Sequence, residues 1–293
     1  VTAGTTVVIR GGGDLGTGVA HALASAGYTV VILETERPRA VRRSAAFAQA
    51  VYTGRTTVEN LSAVLVHAGG RRALSDLEAT LESTVGVERG DSNTPAVPVL
   101  VDPCGHSIAS LRPDVVVDAR MAKRNLGTRR NDAPLTIALG PGFEAGVDVD
   151  LVIETQRGET LGRVIERGSA LADTGVPGVV GGVSAERLIK SPAAGEFRSS
   201  ARIGDIVREG QAVGAVSGVP ARAQLSGRLR GLAADGLVVA AGEKIGDVDP
   251  RGEAVDPSLI SDKARAVGTS VLEVLATRGI LPAGARDPAT RSD

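Results

Sequence analysis

Thr6–Arg10 reads TVVIR, and Gly11-Gly12-Gly13-Asp14-Leu15-Gly16 follows directly. Beyond that turn Val19, Ala20, Leu23 and Ala24 recur at helical spacing until Gly27, and YTVVILE then runs from Tyr28 to Glu34. Strand, glycine turn, helix, strand and terminal acid follow one another in the order of the dinucleotide-binding fingerprint. Each glycine has an assignable task there: Gly11 allows the tight turn, Gly13 lets backbone approach a pyrophosphate, and Gly16 lets helix and strand pack closely. The helix start would aim free N–H groups at the anion, and Glu34 stands where a carboxylate can accept hydrogen bonds from a ribose. The plainer alternative is a turn kept for packing and a solvated acid at a strand end. Asp14 complicates the binding reading, because a carboxylate that suits the helix dipole also repels an incoming phosphate. Arg37, Arg39, Arg42 and Arg43 follow Glu34 as a basic cluster that either holds a phosphorylated group or forms a solvated face.

Further along, Ser62–His67 reads as a strand, and Leu74, Leu77 and Leu81 put one apolar stripe on a following helix. Val99–Val101 ends at Asp102, Val115–Val117 ends at Asp118, and Leu135–Leu139 ends at Gly140-Pro141-Gly142. Continuous apolar strands suggest a parallel sheet covered on both faces, and such sheets bind ligands outside the carboxyl ends of their strands. Asp102, Asp118, Lys123, Asn125, Gly140 and Gly142 are therefore candidates to rim one crevice, with a magnesium-nucleotide or a simple salt bridge as the alternatives for Asp118 and Lys123. His21, His67 and His106 have no metal-ligand spacing, so no metal is expected. Cys104 lies in a Pro-Cys-Gly turn with no basic neighbour in sequence, and no role is assigned to it.

Composition narrows the function classes. The 293 residues carry 33 basic and 34 acidic side chains, are 42% hydrophobic and only 2% aromatic, and include 38 glycines and 14 prolines. An even charge balance with few aromatic platforms disfavours nucleic acid as a partner. One cysteine cannot form an internal disulfide, and no apolar run approaches the ~20 residues of a membrane span. A soluble cytoplasmic protein with no membrane partner is expected.

Near the C-terminus the chain repeats itself at an offset of 32 residues: Gly195 matches Gly227, Gly204 Gly236, Val207 Val239, Gly210 Gly242, and Gly214 Gly246. Short strands between glycine turns, present twice, describe interlocked halves sharing a core that neither would form alone. This segment resembles the barrel-sandwich hybrid of biotinyl and lipoyl domains. The resemblance implies a carrier lysine between the halves, but AVSGVPARAQLS at 215–226 has none, which disfavours a carrier role. Ser261 is a candidate N-cap for a helix striped by Ala264, Val267, Val271, Leu272 and Leu275.

The fold expected is α/β. A Rossmann-like nucleotide-binding parallel sheet covers 1–150 and a Gly-rich connection 151–190. An all-β barrel-sandwich module covers 191–252, a terminal helix packing back covers 253–282, and a frayed tail covers 283–293.

The chain as a whole resembles a bacterial family of accessory proteins of selenium-dependent molybdenum hydroxylase systems, associated with maturation of xanthine and carbon monoxide dehydrogenases. The resemblance rests on VVIRGGGDLGTGVA (7–20), RRSAAFAQAVYTG (42–54), VVVDARMAKRN (115–125), LGPGFEAG (139–146), LGRVIERG (161–168), TGVPG (174–178) and ISDKARAVG (260–268). It implies cofactor-binding roles among Gly11, Gly13, Gly16, Glu34, Arg42, Arg43, Asp118, Lys123, Asn125, Gly140 and Gly142, and draws attention to Phe143, Glu154 and Arg163. Glu159 stands where the family pattern implies histidine. The implied function is maturation of a molybdenum hydroxylase through binding of a nucleotide or molybdopterin dinucleotide. Candidate ligands are NAD(P), CTP or ATP with magnesium, and molybdopterin cytosine dinucleotide. The partners would be a molybdenum hydroxylase or another maturation factor, with homodimerisation as a default. Two alternatives remain open: an NAD(P)-linked oxidoreductase or nucleotide-dependent transferase using Asp118 and Lys123, and a partner-docking scaffold. No catalytic residue is assigned.

Overall fold

The computed structural model describes residues 4–66, 96–175 and 178–282. The expected stripe of Leu74, Leu77 and Leu81, His67, and the tail from 283 lie outside these residues. Nine strands form one sheet: β1 (Thr6–Arg10), β2 (Thr29–Glu34), β3 (Arg55–Val58), β4 (Leu61–Val66), β5 (Ala96–Val101), β6 (Val115–Asp118), β7 (Leu135–Leu139), β8 (Leu151–Ile153) and β9 (Val164–Ile165). Their spatial order is β3-β4-β5-β2-β1-β6-β7-β8-β9. The seven strands from β4 to β8 in that order pair in parallel, and β3 and β9 close the two edges antiparallel. Strands β1 and β7 have almost no polar-out alternation because helices and loops cover both faces.

After β1 the chain passes through α1 (Asp14–Ser25) to β2 on one side, and later returns with β6 on the other. The strand order therefore reverses between β1 and β6. Two short helices, α2 (Ala50–Thr53) and α3 (Ile108–Leu111), precede the long C-terminal α4 (Asp262–Thr277). Helix α4 lies against α1, and glycine sets their separation. A Cβ on Gly18 would come 2.3 Å from the Ala264 carbonyl oxygen, and one on Gly268 would come 2.4 Å from the Gly18 oxygen. Val267, Val271 and Leu275 of α4 are buried in the same core as Val19 and Leu23 of α1. Ser261 caps α4, its side chain accepting from the Ala264 N–H.

Eight further strands form two four-stranded antiparallel sheets: β10 (Leu188–Lys190), β11 (Gly195–Ser199), β12 (Ile206–Val207), β13 (Ala212–Val216), β14 (Val219–Arg222), β15 (Gly227–Leu232), β16 (Val238–Val239) and β17 (Lys244–Asp249). One sheet runs β10-β17-β15-β12 and the other β14-β13-β11-β16. Here the 32-residue offset acquires a spatial meaning. Strand β12 of the first repeat pairs with β15 of the second, and β16 of the second pairs with β11 of the first. Phe197, Val213, Leu229, Ile245 and Val248 fill the core between them. The architecture is thus α/β, with one large mixed sheet, two smaller antiparallel sheets and packed helices. No helix among the described residues is long and apolar enough to cross a membrane.

Candidate functional site

Parallel pairing brings the loops after β1, β6, β7 and β8 to one edge of the large sheet. They do not behave alike there.

The glycine turn after β1 is occupied by the protein's own chain. Gly11 has φ +101, and a Cβ on Gly16 would lie 1.9 Å from the Gly11 oxygen, so turn and helix are in backbone contact. The Gly12 N–H donates to Glu34 Oε2 at 2.8 Å, while Ala48 N–H donates to the Gly12 oxygen at 2.8 Å. Thr17 Oγ1 also donates to that oxygen at 3.0 Å and accepts from Phe47 N–H at 2.9 Å. Glu34 is thereby turned inward, and burial raises its pKa. Asp14, at the helix start, receives Arg42 Nη1 at 2.6 Å and Ser261 Oγ at 3.2 Å. Gly13 alone keeps open space where a Cβ would stand.

The basic cluster is likewise committed to structure. Arg39 pairs with Glu243, Arg42 Nη2 donates to the Leu259 oxygen at 2.8 Å, and Arg43 Nε donates to the Leu232 oxygen at 2.8 Å. These contacts tie residues 39–43 to the antiparallel sheets and to the approach of α4.

Asp118, 1% exposed, accepts Arg120 Nη2 at 2.5 Å and Thr128 Oγ1 at 2.6 Å. Thr128 in turn receives the buried Arg10 at 2.7 Å. Asn125 closes its own loop, accepting from the N–H groups of Gly127 and Thr128 at 2.9 Å each. Asp118 and Asn125 thus hold the β6 loop in shape, and Asp102 likewise receives the N–H groups of Gly105, His106 and Ser107. Phe143 is core, and Arg163 and Glu159 are exposed.

Beyond β6, β7 and β8 lies an open cleft of about 390 Å³, which Met121, Lys123, Glu154, Arg157, Asp173, Lys244 and Lys263 help to line. Met121 and Lys123 both adopt left-handed backbone, φ +54 and +60, which non-glycine residues seldom do outside constrained sites. Gly140 and Gly142 allow the loops to converge: a Cβ on Gly140 would meet Thr155 Oγ1 at 2.5 Å, and one on Gly142 would meet Arg124 N at 2.4 Å. Glu154 is fully buried and accepts from Thr155 N–H and Gln156 N–H at 2.7 Å and from Leu171 N–H at 2.8 Å. It therefore joins the two loops that form the wall.

Three more of the charges have partners. Lys123 Nζ is 2.5 Å from Asp173 Oδ2, and Arg157 grips Asp262 with two bonds of 2.6 and 2.7 Å. The bonds from Arg157 hold the Asp262 carboxyl below the usual carboxylate range. Lys244 and Lys263 differ: among the described residues neither ammonium has a hydrogen bond or an ion pair within 4.0 Å. Burial, followed by nearby Arg157, lowers the Lys263 pKa, and burial lowers that of Lys244. Lys263 also occupies the first turn of α4, where the helix dipole disfavours a cation. Lys244 stays open to solvent on the cleft side, so Lys263 is the more perturbed environment physically.

Of the expected residues, the structure brings Lys123 to this cleft, with Gly140 and Gly142 flanking the lining Pro141, and leaves Gly11, Gly13, Gly16, Glu34, Arg42 and Arg43 around the filled turn. Glu154, noted through the resemblance, supports the cleft wall. Arg157, Lys244 and Lys263 were not anticipated. The available signal was Lys263 itself, a cation two residues after a candidate N-cap. Among the described residues, no group of three or more His, Cys, Asp or Glu side chains is arranged to hold a metal ion.

No family model matches the chain. It is 49% identical over 269 residues to YqeB, an uncharacterized protein of Escherichia coli (strain K12). The match covers 92% of this chain and 47% of YqeB, so the chain spans about half the length of that curated relative. Among solved structures, it is similar to a succinylglutamate desuccinylase/aspartoacylase from Rhodobacter sphaeroides, at 18% identity and a TM-score of 0.24, covering 84% of this chain and 85% of that one. The ectoine utilization protein EutE (DoeB) from Ruegeria pomeroyi is similar at 16% identity over the same shares, with a TM-score of 0.24.

These findings correct the family expectation. The proteins returned are an uncharacterized one and desuccinylase/aspartoacylase and ectoine-utilization proteins, so assignment to selenium-dependent molybdenum hydroxylase accessory proteins does not stand. With it go the maturation role, its hydroxylase or maturation-factor partners, the default homodimer and the scaffold alternative. The nucleotide or molybdopterin-dinucleotide reading, and the NAD(P)-linked oxidoreductase or transferase built on the turn, are corrected as well. Their physical weakness is visible in the turn: Glu34, Ala48 and Thr17 already use the polar groups of Gly12. A TM-score of 0.24 lends this chain neither the fold nor the chemistry of those solved structures.

Proposed function

We propose that the chain binds a small organic anion in the cleft beyond β6, β7 and β8, with Lys244 and Lys263 as its charge partners and Lys263 as the amine best placed to exchange a proton. One observation carries this: in a cleft whose other charged side chains are already paired or hydrogen bonded, these two lysines have no hydrogen-bond or ion-pair partner among the described residues. Lys263 is half-buried and Lys244 opens to solvent on the cleft side, so a carboxylate or phosphate entering there exchanges water for a charge-assisted partner. The lowered pKa of Lys263 suits a general base, because the neutral amine becomes available nearer physiological pH than in a free lysine. Strand ends, converging loops and left-handed backbone at Met121 and Lys123 support this location over the glycine turn.

On the same reading, the chain is a cytoplasmic protein with a Rossmann-like part over 1–150 and a barrel-sandwich hybrid over 191–252. The strand exchange between the repeats supports the second of these. The test is calorimetric titration with inorganic phosphate and with acetate, malonate and succinate, on the native chain and on Lys263→Gln and Lys244→Gln. Saturable binding that weakens about tenfold or more in each variant is expected, a loss of about 1.4 kcal/mol. Absence of binding by every probe, or affinities indifferent to both substitutions, would overturn the assignment.

A further inference from the structure

The chain holds four lysines against twenty-nine arginines, and three of the four, Lys123, Lys244 and Lys263, line the cleft beyond β6, β7 and β8. The fourth, Lys190, is exposed at the end of β10 and stands outside that lining. Elsewhere the fold builds its ion pairs from arginine, as between Arg39 and Glu243, Arg120 and Asp118, and Arg187 and Asp247. For holding an anion the planar fork of arginine is the better tool, since it can grip carboxylate or phosphate through two parallel bonds. What lysine alone offers is an amine that can give up its proton and become a nucleophile, which a guanidinium does not do in a protein. The gathering of lysine in one cleft therefore points to amine chemistry there.

Lys263 has the surroundings that this chemistry requires. It is half-buried in the first turn of α4, where the helix dipole disfavours an ammonium. Among the described residues it has no hydrogen bond and no ion pair within 4.0 Å. The carboxylate beside it in sequence, Asp262, is taken by two bonds from Arg157, which also lines the cleft and fixes a permanent cation there. Burial and that guanidinium lower the Lys263 pKa, so more of the side chain is neutral than in a free lysine. Desolvation and a neighbouring cation are the two means by which a lysine is made nucleophilic. Lys123 is instead paired with Asp173, and Lys244 is exposed.

We infer that Lys263 is a nucleophile that forms an imine with the carbonyl group of a small oxo acid, whose carboxylate is held by Lys244. This rests on the anion-binding reading above and narrows it to a substrate class. The neutral amine adds to the carbonyl carbon: the N–C bond forms, the C=O π bond breaks, and a proton on nitrogen passes to oxygen. The C–O bond of that carbinolamine then breaks, and the hydroxyl takes a proton from solvent and leaves as water. That proton replaces the one the ammonium released, so ammonium and oxo acid become protonated imine and water with no further reactant.

The test incubates the full native chain with glyoxylate, pyruvate, acetoacetate or levulinate, and with acetone as a carbonyl that lacks a carboxylate. Cyanoborohydride reduces any imine to a stable secondary amine, and peptide mass spectrometry reads the labelling at all four lysines. Scoring each reagent by the ratio of labelling at Lys263 to that at Lys190 cancels its intrinsic reactivity. For one of the oxo acids the ratio is expected to reach about tenfold or more, and for acetone to be several-fold smaller. Inorganic phosphate should slow the labelling by the oxo acid, and Lys244→Gln should erase its advantage over acetone. Labelling of Lys263 no faster than of Lys190, acetone matching every oxo acid, or an advantage untouched in Lys244→Gln would overturn the inference. If phosphate or acetate still binds, the anion-binding reading survives that outcome. No saturable binding of any anion, together with acetone matching the oxo acids, would overturn both.

Discussion

The turn after β1 and the loops after β6, β7 and β8 share one edge of one sheet, yet they treat their polar groups in opposite ways. At the turn, Gly12 is hydrogen bonded through both its N–H and its carbonyl, Asp14 is paired, and the nearby arginines reach other parts of the fold. In the cleft, the buried Glu154 joins the loops of the wall, and among the described residues Lys244 and Lys263 have no hydrogen-bond or ion-pair partner. A glycine motif prescribes a backbone shape, and either a ligand or the chain itself can satisfy that shape. Unmet polar groups are the better guide to where a ligand belongs.

The largest effect should come from Gly16→Val. Its side chain would press on the Gly11 carbonyl, and thermal unfolding should report a loss of about 3 kcal/mol or more. If anion affinity vanished in a Gly16→Val protein that remained as stable as the native chain, the turn would be a binding site and the contrast would collapse. Next comes Lys263→Gln, which should lower anion affinity about tenfold while leaving the Tm unchanged or slightly higher. The second part follows from sign: a lysine whose pKa is lowered on folding costs stability below its unfolded value of 10.5, and removing it removes that cost.

Linkage sharpens the same contrast. An entering anion favours the ammonium forms of Lys263 and Lys244 and raises their pKa values back toward normal. Binding should therefore take up protons, and affinity should fall as pH rises through the depressed lysine values. Titration in two buffers of different ionisation enthalpy measures this directly, and proton release would contradict it. Asp173→Asn frees Lys123 from an exposed pair, and affinity should improve by a few-fold at most, in keeping with roughly 0–1 kcal/mol for such pairs. The smallest effect is expected from Gly13→Ala, where a Cβ meets nothing within 4 Å and φ is −70: stability should stay within about 0.5 kcal/mol and affinity should not change.

Local pattern was enough to place β1 and β7 at their observed bounds, because a continuous apolar run between turn residues admits few alternatives. The internal repeat was equally legible, since matching glycines mark equivalent turns. What pattern did not convey was the use of those pieces. Glu34 has the spacing of a ribose acceptor, but its direction depends on how residues 43–49 cross the turn. The cleft takes Lys123, Arg157, Lys244 and Lys263 from four separated stretches, and only the contact between the antiparallel sheets, α4 and the large sheet brings them together.

The exchange of β12 and β16 between the repeats has a consequence for how this part of the chain is made and lost. Each small sheet needs a strand from the other half, so neither repeat has a complete hydrogen-bonded ladder until both are present. Folding must wait for contacts distant in sequence, and opening either sheet exposes the core of both. Amide exchange in 195–249 should therefore proceed as one cooperative unit, and a protease should find no intermediate in which one repeat survives its twin.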